Sequence, residues 1–245
     1  MSKFRLGRKA VKTDSRTLRL AKYAQALAPP PASVNWAKGI TQFGMALNDT
    51  LGDCTIAGVA HAIQIWTANS QTEVTILDSI IQNYYSTWDG YVPGDPSTDN
   101  GGVELDVLSD WKKNGFSGHL LTAYADPAVS NLTEIRQAIH LFLGLYIGLN
   151  VTNQVMDTAN DPTVAWDIGG DQTIAGGHAV YVIGYDATFI YFISWGQIYK
   201  MTLFYWKAYV DEAHALMSPD LIGSAGFAAS GFNTTQLLAD LAAIV

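Results

Sequence analysis

Residues 55–68 are apolar around nearly the whole circumference of a helix, with Ile56, Val59, Ile63, Ile65 and Trp66 distributed over all its faces. Such a segment is stable only when the rest of the chain wraps it on every side. A chain of 245 residues, 49% hydrophobic and 15% charged, has the material to do so and is too apolar to stay disordered. The helix is expected to begin at Cys54, the single cysteine of the sequence. An internal disulfide is therefore excluded, which fits a reducing compartment.

The net charge of −8 is unevenly spread. The first 22 residues hold eight lysines and arginines against Asp14, a local charge of +7, while the remainder, with six basic and 21 acidic residues, sums to −15. This pattern predicts a basic arm, residues 1–30, lying on an acidic body. The arm has few aromatic rings on which bases could stack, so nucleic acid is not an expected partner. Ala28-Pro29-Pro30-Pro31 favours an extended conformation and separates the arm from the body. No continuous apolar stretch comes after the basic residues, so no classical export signal is expected. Residues 135–151 are interrupted by Arg136, Gln137 and His140 and fall short of a membrane span. The expected location is cytoplasmic.

Beyond the first helix, residues 84–102 are rich in Gly, Pro, Asp, Ser and Asn and read as an ordered loop. Val103, Val107, Leu108 and Trp111 recur at helical spacing until Gly115, a suitable left-handed cap. Asn131 and Glu134 resemble a capping box that opens a helix running toward Gly144. Residues 146–151, 178–185 and 188–195 are short, β-branched and aromatic, and read as strands. The expected class is α+β: a helical lobe over about 31–125, a sheet lobe over about 126–218, and an extension, 219–245, carrying a short amphipathic helix over 234–245.

A thiol at a helix N-terminus is stabilised as its anion by unpaired N–H groups and the helix dipole. Cys54 occupies that position, preceded by Gly52-Asp53. Cysteine catalysis also needs a base. His61 lies on the same helix, about 10 Å along the axis, too far to share a proton. His119, His140 and His214 have no flanking pattern that marks them for a site. His178 differs, since Gly176-Gly177 leave room around its imidazole and the strand Ala179-Val180-Tyr181-Val182-Ile183 comes next.

Several segments together resemble the papain-like cysteine peptidases, in particular their compact bacterial members without disulfides. Asn48-Asp49-Thr50-Leu51-Gly52-Asp53-Cys54-Thr55 is similar to the family's nucleophile segment, and Pro31-Ala32-Ser33-Val34-Asn35-Trp36 to the start of its mature domain. Asn100-Gly101-Gly102, followed by a helix ending at Lys113-Asn114-Gly115, resembles the substrate-binding glycine segment. Gly177-His178-Ala179-Val180 with Gly184-Tyr185 resembles the catalytic-histidine strand, and Ser194-Trp195-Gly196 the tryptophan motif. These segments stand in the family's order over roughly residues 31–210. The resemblance implies a two-lobed fold with a helical first lobe and a sheet or barrel second lobe. It also implies a peptide or protein substrate, Cys54 as nucleophile, His178 as proton shuttle and Asn48 as oxyanion donor. Gly101 and Gly102 would pair with substrate backbone, and Trp195 would shield the imidazole. The segment before Pro29 is too short to resemble the family's full inhibitory propeptide, so no classical zymogen is expected.

One position departs from the pattern: the residue before Ser-Trp-Gly, an asparagine in the family, is here Ile193, whose side chain forms no hydrogen bond. Asn48 also stands where the family has glutamine, and Asp53 beside the cysteine would raise the thiol pKa. Two further readings therefore remain open, a catalytically impaired pseudo-peptidase serving as a binding or structural module, and a chain whose basic arm or C-terminal helix docks on a partner. No cofactor is implied, and no His/Cys cluster has the spacing of a metal site.

Overall fold

The helix α1 (Cys54–Ser70) is buried continuously from Cys54 to Thr67, as its apolar circumference requires. The structure, a computed structural model, describes residues 4–21, 29–222 and 230. The helix expected over 234–245 lies outside the described residues. Gly58 faces the ring of Tyr146, and a Cβ there would stand 2.5 Å from it, so a glycine lets α1 approach the sheet closely. Trp66 stacks on Trp111 with ring centroids 5.7 Å apart and donates from Nε1 to the Tyr181 hydroxyl at 2.8 Å. Replacing Trp66 by alanine is expected to lower stability by about 3–5 kcal/mol, read as a shift of the denaturant midpoint at unchanged slope.

Three more helices complete the first lobe and the crossing to the second: α2 (Asp78–Asp89), α3 (Glu104–Asn114) and α4 (Leu132–Leu141). Residues 84–89, expected as loop, instead form the end of α2. Tyr85 is buried four residues after Ile81, Tyr84 packs on Trp88 at 4.7 Å, and left-handed Gly90 stops the helix. Gly115 ends α3 at φ 71°, and Asn131 caps α4 by accepting the Glu134 N–H at 3.3 Å.

The sheet comprises β1 (Leu18–Arg19), β2 (Val34–Asn35), β3 (Ala123–Asp126), β4 (Leu145–Thr152), β5 (Ile174–Tyr185), β6 (Phe189–Ser194), β7 (Gln197–Thr202) and β8 (Val210–Met217). Two short helices, α5 (Asn153–Thr158) and α6 (Leu203–Tyr209), lie between strands. The order is β1-β3-β8-β4-β5-β6-β7, with β2 pairing with β5, and among the described strands only the β1–β3 pair is parallel. This is the expected α+β architecture.

The basic arm does not lie loosely on the surface. Phe4 and Leu20 are buried, Leu18 and Arg19 add a strand to β3, and residues 7–9 run between the two lobes. Among the described residues no helix is long and apolar enough to cross a membrane.

Candidate active site

Cys54 and His178 are 124 positions apart in sequence and adjoin in space where α1 meets β5. The Cys54 Sγ accepts the Ala179 N–H at 3.4 Å, so the thiol lies against the backbone of the residue that follows the histidine. His178 Nε2 is 2.7 Å from Ser194 Oγ, while Nδ1 has no hydrogen-bond partner among the described residues. The Trp195 ring stacks on the imidazole at 4.8 Å with planes 19° apart, covering one face from water. Ser194 thus makes the hydrogen bond to the ring that the Ile193 side chain cannot make. The strand period explains the shift: Ile193 is wholly buried and pairs with Tyr181, whereas the next residue points to the opposite face. Sequence reasoning missed Ser194 although it stands within the recognised tryptophan motif.

Asn48 is buried six residues before the cysteine, and its Nδ2 donates to Asp53 Oδ1 and, at 3.4 Å, to the Ala46 carbonyl. Asp53 is itself wholly buried, and burial pushes its carboxyl well above the usual range. Its charge also raises the thiol, the direction expected from sequence.

The glycine segment is held by groups that local pattern did not single out. Tyr85 Oη donates to Asp99 Oδ1 at 2.6 Å and accepts the Gly101 N–H at 2.9 Å, and Asp99 Oδ1 also accepts the Gly52 N–H at 2.9 Å. One carboxylate therefore ties the turn before Cys54 to the glycine segment.

Gly102 pairs with extended backbone, and that backbone is the chain's own arm. The Gly102 N–H donates to the Gly7 carbonyl at 2.9 Å, the Lys9 N–H donates to the Gly102 carbonyl at 2.8 Å, and the Arg8 N–H donates to the Gly177 carbonyl at 3.0 Å. Arg8 runs parallel to Gly102 and antiparallel to Gly177, so the arm fills the strip between the glycine segment and the start of β5. The Gly7 N–H also donates to the Cys54 sulfur. Gly7 fits only because it lacks a side chain, since a Cβ would fall inside the Gly52 carbonyl. Trp195 adds a hold on the arm by donating to the Arg5 carbonyl at 3.3 Å and stacking on Phe4 at 4.6 Å.

Covered in this way, the pair is electrically quiet. Burial pushes the Cys54 thiol up to about 12, and burial together with the Arg8 charge holds His178 down to about 3. Both groups are neutral near pH 7. His61 makes a separate contact, with Nε2 3.1 Å from the Gly44 carbonyl, and is held down to about 4 by burial.

Beside the cleft a helix and a strand bring together titratable side chains that sequence spacing does not group. Glu104 from α3 and Glu212 and His214 from β8 bring one potential ligand atom each within 4.8 Å of one another. Glu212 and His214 are two apart on a strand and so share a face, which was the available signal. His214, which no flanking pattern in the sequence marks for a site, is buried and held up to about 10. Desolvation opposes its charge, but the contacts with Asp126 and Glu212 outweigh it. The Arg8 guanidinium reaches this cluster, with Nη1 2.5 Å from Glu212 Oε1 and Nη2 2.9 Å from Asp211 Oδ2.

No protein-family model matches this sequence, and no curated protein matches it. Solved structures do match in fold. Xylellain, a cysteine protease from Xylella fastidiosa, superposes with a TM-score of 0.66 at 15% identity, covering 88% of this chain and 96% of that one. Procathepsin B S9 from Trypanosoma congolense gives 0.59 at 11% identity, over 88% and 87% of the two chains. Digestive procathepsin L 3 of Tenebrio molitor larval midgut gives 0.55 at 14%, over 84% and 75%. The chain has the papain-like fold.

Proposed function

We propose that the chain is a papain-like thiol hydrolase that cleaves peptide or related acyl bonds through Cys54 and is held closed by its own N-terminal residues. The observation that carries this reading is the junction of Cys54 with His178 between the lobes, the ring fixed by Ser194 on one edge and Trp195 on one face. With Nε2–H donating to Ser194 Oγ, Nδ1 is the free base. It takes the thiol proton once the arm leaves and the pair is rehydrated, and the α1 N-terminus stabilises the thiolate. The sulfur attacks the carbonyl, and the Cys54 backbone N–H and Asn48, exchanging its bond to Asp53, hold the oxyanion. His178 then protonates the leaving amine, and water releases the acyl group. Gly102 and Gly177, which pair with the arm now, pair with the substrate backbone.

The test is trapping. An epoxide-bearing peptide is expected to give one adduct, at Cys54, in protein whose arm has been displaced, together with turnover of a peptidyl anilide. Neither adduct nor turnover under those conditions would sink the reading. Ser194→Ala is expected to lower kcat about tenfold with little change in KM, because the imidazole loses its anchor while the substrate contacts remain. Ser194→Thr should restore most of the loss, and equal kcat in all three proteins would show that Ser194 positions nothing.

A further inference from the structure

The Arg8 side chain does not lie on the protein surface. It is 2% exposed and enters a pocket whose walls are Glu104, Asp211, Glu212 and His214. Its backbone is the part of the arm that lies between Gly102 and Gly177, the strip assigned above to substrate. Gly148 of β4 opens the space: a Cβ there would stand 2.6 Å from Glu212 Oε1 and 2.7 Å from Arg8 Cδ. Glu104 is wholly buried, and neither of its carboxylate oxygens has a hydrogen-bond partner among the described residues. Its nearest ion-pair contact, His214 Nε2, is 3.9 Å away. The pocket therefore has more acceptor capacity than its present occupant uses.

We infer that this acidic pocket is the side-chain specificity site of the hydrolase and selects substrates with an arginine or lysine at the residue that replaces Arg8 beside Gly102 and Gly177. The inference rests on the function proposed above. Four carboxylates, Glu104, Asp126, Asp211 and Glu212, lie around two cations, Arg8 and His214, with Asp126 2.7 Å from His214 Nδ1. Withdrawal of the arm leaves the buried Glu212 and Glu104 with only His214 in contact, while Asp211 keeps its bond from Asn150, an arrangement that is strongly unfavourable. A displacing peptide relieves it only by bringing its own cation. A guanidinium suits the site better than an ammonium, because it spans Asp211 and Glu212 with separate N–H groups as Arg8 does. A leucine in the same place would leave the carboxylates unpaired. The arm is thus an internal mimic of the preferred side chain, laid along Gly102 in the parallel sense.

The experiment uses the full chain carrying Gly7→Leu, which displaces the arm without altering the pocket. An acetylated peptide of residues 4–13 and the same peptide with leucine at the Arg8 position are titrated calorimetrically. The arginine peptide is expected to bind at least tenfold more tightly, and Glu212→Gln or, if that variant fails to fold, Asp211→Asn should bring the two affinities within about threefold. Equal binding of both peptides to the unaltered pocket overturns the inference, whatever Cys54 does. Zinc or manganese ions are titrated in parallel. Metal binding that is lost in Glu212→Gln, with no preference between the peptides, would make the pocket a metal site and overturn the inference as well. Peptidyl epoxides bearing arginine or leucine at this residue give a second readout, with an expected rate ratio above about 50. Fast alkylation at a ratio near one defeats the specificity site and leaves the hydrolase standing. Arginine-selective binding without alkylation defeats the hydrolase and leaves the pocket.

Discussion

Gly7→Leu raises the rate at which iodoacetamide alkylates Cys54 at pH 7 by more than about a hundredfold. Gly7 sits against the Gly52 carbonyl and donates its N–H to the sulfur, so any side chain at this position collides with backbone, which has no rotamer to escape into. The strip that depends on it, three backbone hydrogen bonds at 2.8–3.0 Å to Gly102 and Gly177, is worth about 1 kcal/mol per bond. The Arg8 ion pairs to Asp211 and Glu212 add to that hold, but a Cβ 1.7 Å from the Gly52 oxygen has no room in the cleft, and residues 7–9 lift from it. The effect on chemistry then comes from the thiolate fraction. A thiol held near 12 is ionised to about one part in a hundred thousand at pH 7, whereas an ordinary exposed thiol is ionised to a few per cent. In the unaltered protein the alkylation rate should climb tenfold per pH unit, levelling off only toward 12. In Gly7→Leu the plateau moves toward neutrality, because release from burial lowers the Cys54 pKa and raises that of His178 from about 3. Identical rate–pH curves for the two proteins, both folded by circular dichroism, would mean that the arm does not guard the thiol.

In the same background His178→Ala should reduce kcat for a peptidyl anilide by about 10²–10⁴-fold while leaving KM within about threefold. The imidazole touches the sulfur's neighbourhood, Ser194 and Trp195, but the backbone pairing that holds peptide belongs to Gly102 and Gly177. Loss of the base therefore removes a transition-state interaction and spares binding. The neutral plateau of alkylation should vanish with it, since the thiolate loses its imidazolium partner. Equal turnover in His178→Ala and its parent would remove His178 from the chemistry, and no turnover in either would make the chain a pseudo-peptidase whose cleft binds without cutting. Ser194 weighs against that outcome, because it supplies the anchor that Ile193 lacks.

How far these residues are legible in the sequence depends on how local their signals are. The α1 helix is dictated by its own apolar circumference, and Cys54 at its head by the helix. His178 is marked by its two glycines and the strand after it, and β5 indeed carries it. The end of α2 was missed because Pro, Gly and Asp at 90–99 dominate the composition of a window whose first residues are held by Ile81 and Tyr85 in the core. Ser194 was passed over because the family pattern directs attention to the residue before it, and one position along a strand changes the face.

The sequence by itself determined what depends on neighbours along the chain: the buried helix, the thiol at its start, the histidine strand, the glycine turn and the concentration of basic charge in the first residues. Tertiary structure alone decided what lies in the cleft. Residues 7–9 meet partners near 102 and 177 that no local periodicity predicts, and Glu104, Asp211, Glu212 and His214 converge from a helix and a strand about a hundred residues apart in sequence. The physical reason is that periodicity reports which face a side chain takes, whereas the pairing of distant charges and strands is fixed only when the core closes and removes them from water.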